Sequence, residues 1–299
     1  MFMAAKNTFE YILGISWFIL SVITSLANDV ITKFVGTSVP SIQITFMRFL
    51  ITSIVLLPIV LKNHELHRLK PEMKLAHLLR GSLLFVGMIS WSYGLSIAPI
   101  TTATMMTFTI PIFVLILGAL ILKENISWHR SFATIIGFVG IAFVLAPNPS
   151  DFNPNILIFL VAALSFALLD ITNKYFISSD SIIAMMFYSS LVACFMAFGP
   201  AMYYWQTISD YDFILFGLLG IGSTLISYFL LKAFTYVEAT AVSPYRYIEL
   251  LLSAVVGILL FDETLTLHTI IGAIIIVLST TLNGYAEHKA IQKRSENIS

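Results

Sequence analysis

The sequence predicts an all-α integral membrane protein of ten transmembrane helices arranged as two inverted five-helix repeats. Three observations lead there. Of the 299 residues, 58% are hydrophobic and only 11% are charged, whereas a soluble domain carries about a quarter charged residues to cover its surface. Apolar runs of about 20 residues, the length that crosses the hydrocarbon of a bilayer, recur along the whole chain. Two phrases, LILKENISWHR at 120–130 and LLFDETLTLHT at 259–269, repeat one another at an offset of 139 positions.

In order, the first half (1–147) holds predicted spans at 11–32, 41–61, 76–97, 100–121 and 129–146. The second half (148–299) holds spans at 156–177, 182–203, 211–235, 240–260 and 266–284. The first run carries Glu10 ahead of it and is followed by many others, so it is expected to be a retained helix and not a cleaved signal. The stretches SIAPITTAT and TYVEATAVS separate neighbouring spans only briefly.

Orientation follows from Lys and Arg in short loops, which concentrate on the cytoplasmic side. With the N-terminus inside, the inner segments hold Lys6, Lys62, Arg68, Lys70, Lys74, Arg80, Lys123, Arg130, Lys174, Lys232, Lys289, Lys293 and Arg294. The outer segments hold only Lys33, and Arg48 and Arg246 fall inside spans. Both termini are therefore expected on the cytoplasmic side.

At offset 139, Gly118, Leu120, Glu124 and His129 fall on Gly257, Leu259, Glu263 and His268. At offset 141, Asp29 and Lys33 of NDVITKF fall on Asp170 and Lys174 of LDITNKYF. An odd number of helices per half makes the second half enter the membrane upside down. The first phrase then lies inside and carries Lys123 and Arg130, while the second lies outside and carries Asp262 and Thr269. Removal of the cations from the outward copy is what the charge rule demands. Inverted repeats of this kind are frequent in secondary transporters, which bind substrate near the midplane between the halves.

On these residues the chain resembles the EamA-like branch of the drug/metabolite transporter superfamily. The resemblance is carried by the G-x5-E phrase of each half (Gly118 to Glu124, Gly257 to Glu263), by the helices bearing Pro111 and Pro244, and by APITTA at 98–103 against VEATAV at 237–242. It implies a multi-pass protein of the bacterial inner membrane that moves a small zwitterionic or cationic metabolite by alternating access. S-Adenosylmethionine uptake, in exchange for the demethylated product, is the first expectation. Export of an amino acid or drug on the same scaffold is the alternative, and an intramembrane enzyme or a non-transporting subunit is the rival of another class. The expected partners are a small-molecule substrate and the lipid bilayer, with the chain a monomer or homodimer. No nucleic acid and no cofactor is implied.

An ionisable residue at mid-membrane costs roughly 2.5–3.5 kcal/mol on insertion scales, so each such group should have a partner or a watery cavity. In SPYRYIELLL, Arg246 and Glu249 are three apart on one helical face. Arg246 is a candidate for a substrate carboxylate and Glu249 for an ammonium or a coupled proton; an internal ion pair is the competing reading. Arg48 is expected to snorkel or to pair with a neighbouring helix. The i, i+4 pairs Asp29/Lys33 and Asp170/Lys174 read either as local ion pairs or, being placed near opposite faces, as symmetric gates.

Among 24 Phe, 12 Tyr and 4 Trp, Trp17, Trp91, Tyr93, Tyr188 and Tyr228 fall within spans and are candidates to hold a cation over a ring, with simple packing as the competing reading. Tyr93 and Tyr228 are favoured because they sit in corresponding helices of the two halves. The cavity is expected between the first, third, fourth, sixth, eighth and ninth helices. Glu124 and Glu263 are expected to be structural, at helix starts.

Enzyme classes find no support. HELHR at 64–68 has Arg68 where a metalloprotease needs its second histidine, and no phosphate-cradling or nucleophile-elbow motif occurs. The single cysteine, Cys194, excludes an intramolecular disulfide and reads as a small buried hydrophobe.

Overall fold

The computed structural model describes residues 8–62 apart from residue 37, 71–98, 109–124, 154–242, 245–246 and 248–261, with single positions within 100–106, 128–139 and 271–278. Every element there is helical: α1 (Thr8–Val35), α2 (Ser41–Lys62), α3 (Pro71–Ile97), α4 (Thr109–Leu117), α5 (Ile158–Phe176), α6 (Ile182–Tyr203), α7 (Asp210–Tyr236), α8 (Ala239–Val242) and α9 (Ile248–Phe261). Among the described residues, six of these, α1, α2, α3, α5, α6 and α7, are long and apolar enough to cross a membrane. α4 continues into a π-helical turn, Gly118–Leu122. The expected spans 129–146 and 266–284 lie largely outside the described residues, as do Pro244 and Glu263.

Local chemistry explains the ends. Pro71 opens α3, where its missing N–H is no loss. Ser181 caps α6 by accepting from the Ala184 N–H at 3.0 Å. Ser209 and Asp212 form a reciprocal capping box at α7, which satisfies two otherwise orphaned donors. Lys123 closes the π turn in the left-handed region at φ 54°, its N–H bonded to the Gly118 carbonyl.

The ninth span departs from expectation. One helix over 240–260 was predicted, and the chain instead breaks between α8 and α9, with Tyr245 and Arg246 on a 3-10 turn. The sequence SPYRY contains a proline, which has no N–H to continue a helix. Arg246 and Glu249 therefore do not share one continuous helix.

Packing relates the halves by exchange. α1 packs on α7 as α5 packs on α3, α2 on α7 as α6 on α3, and α4 on α5 as α9 on α1. The contact of α2 with α6 maps onto itself under the same exchange. Close approaches use small residues, as is common where lipid supplies no hydrophobic drive between helices. A Cβ added at Gly220 of α7 would run into Ile51 of α2, and one at Gly222 into Asn28 of α1. One apolar cluster joins Val35, Ile44 and Phe49 to Ala193, Ala197 and Phe216, so each half completes the other's interior.

Candidate functional site

The buried face of α1 advances by three and four residues through Phe18, Ser21, Val22, Asn28, Asp29 and Thr32, the helical repeat of an inward stripe. Phe18, Ser21, Val22, Asn28 and Asp29 of this stripe border a cavity of about 1240 Å³, a volume that includes the open space at its mouth. α1, α2, α3, α4 through Ile110, α5, α6 and α7, with Arg246 and Glu249, line it. The expected ring is thus enlarged by α2 and α6, which contribute Arg48 and Thr52, and Met185, Ser189 and Ser190. Phe18, Phe49, Trp91 and Phe166 supply its aromatic walls.

Three carboxylates and three guanidiniums line this space: Asp29, Asp170 and Glu249, with Arg48, Arg80 and Arg246. Asp29 accepts a hydrogen bond from the Trp91 indole at 2.6 Å. Asp170 accepts from Arg246, with which it forms an ion pair. The Arg246 guanidinium also lies over the Phe18 ring, 5.4 Å from its centroid. Glu249 is buried, within electrostatic reach of both Asp29 and Arg246. Asn28 holds α1 to α7 through the Leu219 carbonyl and the Ser223 hydroxyl, each at 3.1 Å.

Arg48 does not snorkel; it pairs with two neighbouring helices, through groups other than a carboxylate. It is 1% exposed and the largest fully buried side chain among the described residues. It donates to the Thr32 hydroxyl and to the Met88 sulfur at 2.8 Å. Arg80, counted with the inner cations near the start of the expected span 76–97, is buried inside α3; it donates to Asn173 at 2.7 Å and to the Met185 carbonyl at 3.0 Å. Nearby His77 approaches Asp180 at 3.3 Å.

The i, i+4 partners turn to other elements. Lys33 donates to the Ala98 carbonyl at the end of α3 at 2.9 Å. Lys174 donates to the Phe234 and Val237 carbonyls at the end of α7, at 2.8 and 2.7 Å. Ala98 and Val237 are themselves 139 positions apart, so the two lysines perform the same task in the two halves. Beside Lys174, the Glu124 carboxylate accepts from the Ala239 N–H at 3.2 Å, the Thr240 N–H at 3.1 Å and the Thr240 hydroxyl at 2.5 Å. Glu124 is structural in this sense, capping a helix of the opposite half.

The favoured aromatics are placed elsewhere. Tyr93 is 46% exposed and lies in a separate open groove with Ser96 and Tyr204. Tyr228 is 37% exposed and meets Trp17 edge to face at 6.1 Å; neither lines the central cavity. Tyr188 stacks on His77 at 4.8 Å, also off the cavity wall. Of the six residues expected to touch substrate, the structure brings Arg246 and Glu249 to the cavity. It also brings there Asp29 and Asp170, expected as gates, and Trp91, one of the expected span aromatics, and it adds Arg48, Arg80 and Asn28. For Arg48 the available signal was its position inside a span; Arg80 also fell within an expected span, 76–97, but it ends a run of loop cations and was counted with them.

Comparison with known proteins adds to this geometry. The EamA-like transporter family matches residues 12–146 and again 153–285. The S-adenosylmethionine uptake transporter of Rickettsia felis is 47% identical over 96% of this chain and 97% of its own. That of Rickettsia prowazekii is 46% identical over the same shares. The riboflavin transporter of Vibrio cholerae is 28% identical over 93% of each chain. A solved crystal structure 15% identical in sequence superposes with a TM-score of 0.71, covering 92% of this chain and 96% of that one, a likeness of fold.

Proposed function

This chain belongs to the EamA-like transporter family, and from that premise we propose that it takes up S-adenosylmethionine. It is a duplicated, all-helical membrane transporter and not an enzyme. The observation that carries the substrate is the 47% identity, over nearly the whole of both chains, to the transporter of Rickettsia felis.

The cavity chemistry supports this reading. S-Adenosylmethionine carries a sulfonium, an ammonium, a carboxylate and an adenine. Glu249 and Asp29, both buried and lining the cavity, offer carboxylates to the cationic groups. Trp91, Phe18 and Phe166 offer faces for the adenine or the sulfonium, since ring faces attract cations. Arg246 is engaged by Asp170, and its role is to balance that carboxylate in the cavity wall.

Transport proceeds by alternating access in an inner membrane, with ten helices in two inverted halves and both termini cytoplasmic. The exchange pattern of helix contacts supports two such halves. Lys33 and Lys174, with Asp29 and Asp170 one turn away on the same helices, serve as the paired gates: each lysine ties the first helix of its half to the end of the third. Export of the demethylated product, S-adenosylhomocysteine, drives entry.

The test is uptake of labelled S-adenosylmethionine into proteoliposomes, with and without internal S-adenosylhomocysteine and with an imposed pH gradient. Stimulation by the internal product supports exchange. Stimulation by the pH gradient alone assigns the coupling to protons, and absence of any uptake rules out the substrate.

A further inference from the structure

Arg48 is a buried cation with poor acceptors. It is 1% exposed, and its two terminal nitrogens reach one hydroxyl, on Thr32, and one thioether, on Met88. Its Nε has no hydrogen-bond partner among the described residues. Burying a guanidinium is costly unless an anion or several strong acceptors face it, and a thioether is a weak acceptor. The other two cavity arginines have stronger acceptors: Arg246 has Asp170, and Arg80, although one terminal nitrogen is likewise without a hydrogen-bond partner, has the Asn173 amide and a backbone carbonyl.

Position adds to this. Arg48 bonds Thr32, three residues beyond Asp29 on α1, and Met88, three residues before Trp91 on α3. Asp29 in turn bonds Trp91. The guanidinium and the carboxylate therefore both lie between α1 and α3, with partners three residues apart on each helix and no ion pair between them, and each lines the cavity. A cation and an anion held adjacent in a buried wall are the complement of an α-amino acid, whose carboxylate and ammonium are separated by one carbon.

We propose that Arg48 anchors the carboxylate of the transported substrate while Asp29 takes its ammonium, so that the pair clamps an α-amino-acid head group. The inference rests on the substrate reading above and adds to it which end of the molecule is held at α1–α3. Arg48 is on this view a specificity residue, and substrates lacking the carboxylate leave it unpaired. A site built to bond a polar group discriminates strongly against an analogue that lacks it.

The experiment measures inhibition of labelled S-adenosylmethionine uptake by unlabelled S-adenosylmethionine and by its decarboxylated analogue, in proteoliposomes of the wild-type chain, Arg48→Gln, Arg48→Lys and Arg80→Gln. Wild type is expected to prefer the carboxylate-bearing compound by roughly ten- to a hundredfold, the worth of a charge-assisted hydrogen bond. Arg48→Gln should bring the two compounds within about threefold of each other. Arg48→Lys, which keeps the charge and the fold but lacks the planar fork, should retain part of the preference, and Arg80→Gln all of it. Both Arg48 variants keeping the wild-type ratio, or Arg80→Gln being the one that collapses it, overturns the clamp alone. Absence of uptake by wild type overturns the substrate as well.

Discussion

The Nζ of Lys174 donates to the Val237 carbonyl at 2.7 Å, joining the first helix of the second half to the end of the third. Lys33 and Ala98 form the equivalent contact in the first half at 2.9 Å. Both lysines hold backbone carbonyls that helix ends leave without intrahelical partners. An ammonium in each half, buried for Lys174 and half-buried for Lys33, thus closes a helix end at a place where the repeated phrase begins.

Removing one of these ties should affect movement as well as stability. Lys174→Met removes charge-assisted bonds to two carbonyls and is expected to cost about 2–3 kcal/mol, read as a lower unfolding temperature in detergent, and to slow uptake. Lys33→Met should slow uptake with a smaller loss of stability, since this lysine is less enclosed. Wild-type transport rates in both variants would remove the gating role.

Glu124 joins the halves through Thr240. Thr240→Val deletes the 2.5 Å bond from the hydroxyl and leaves the two N–H donors in place, so about 1–2 kcal/mol should be lost. Glu124→Gln keeps the shape and removes the charge beside Lys174. It is expected to destabilise more than Thr240→Val, and the reverse order in thermal unfolding would show that the charge is unimportant there.

The Asp170–Arg246 pair supports the cavity wall. Arg246→Ala leaves a buried carboxylate without its partner and should cost roughly 3–5 kcal/mol. Adding Asp170→Asn should recover much of that loss, because the uncompensated charge is then gone. A double variant as unstable as the single one contradicts the pairing.

Charge selection at Glu249 separates two nearly isosteric ligands. S-Adenosylhomocysteine lacks the methyl group and positive charge of the sulfonium. Glu249→Gln is expected to reduce the preference for S-adenosylmethionine over this product by about tenfold, the scale of one charge-assisted contact. Competition assays read the ratio directly, and an unchanged ratio places the sulfonium elsewhere.

Gly222 permits the crossing of α7 over α1 at Asn28. Gly222→Val should overpack this contact, costing about 1–3 kcal/mol, and break the Asn28 bonds to Leu219 and Ser223. Gly217, whose added Cβ would meet nothing within 4 Å, is the control: Gly217→Ala should leave unfolding and uptake at wild-type values.

The class of the protein, six of its spans and its duplication were legible in the sequence. Apolar length, loop charge and fixed-offset repetition are properties of a linear string, and the bilayer converts them directly into helices and topology. The ionisable residues worth attention were legible too, because charge inside a span is expensive wherever it falls. Their partners were not. Asp29 and Lys33 are four apart in sequence, yet Asp29 bonds Trp91 and Lys33 bonds Ala98. Asp170 meets Arg246 from 76 positions away. The tyrosines were chosen for their place along the helices, while exposure depends on rotation about the helix axis, which packing against neighbours sets. Arg48 and Asp29 become a clamp only where α2 and α3 close on α1. The sequence by itself determined which groups had to be buried in a two-part membrane bundle; the crossings of its helices decided which of them face one another, because a buried charge takes the partner that tertiary packing brings within reach.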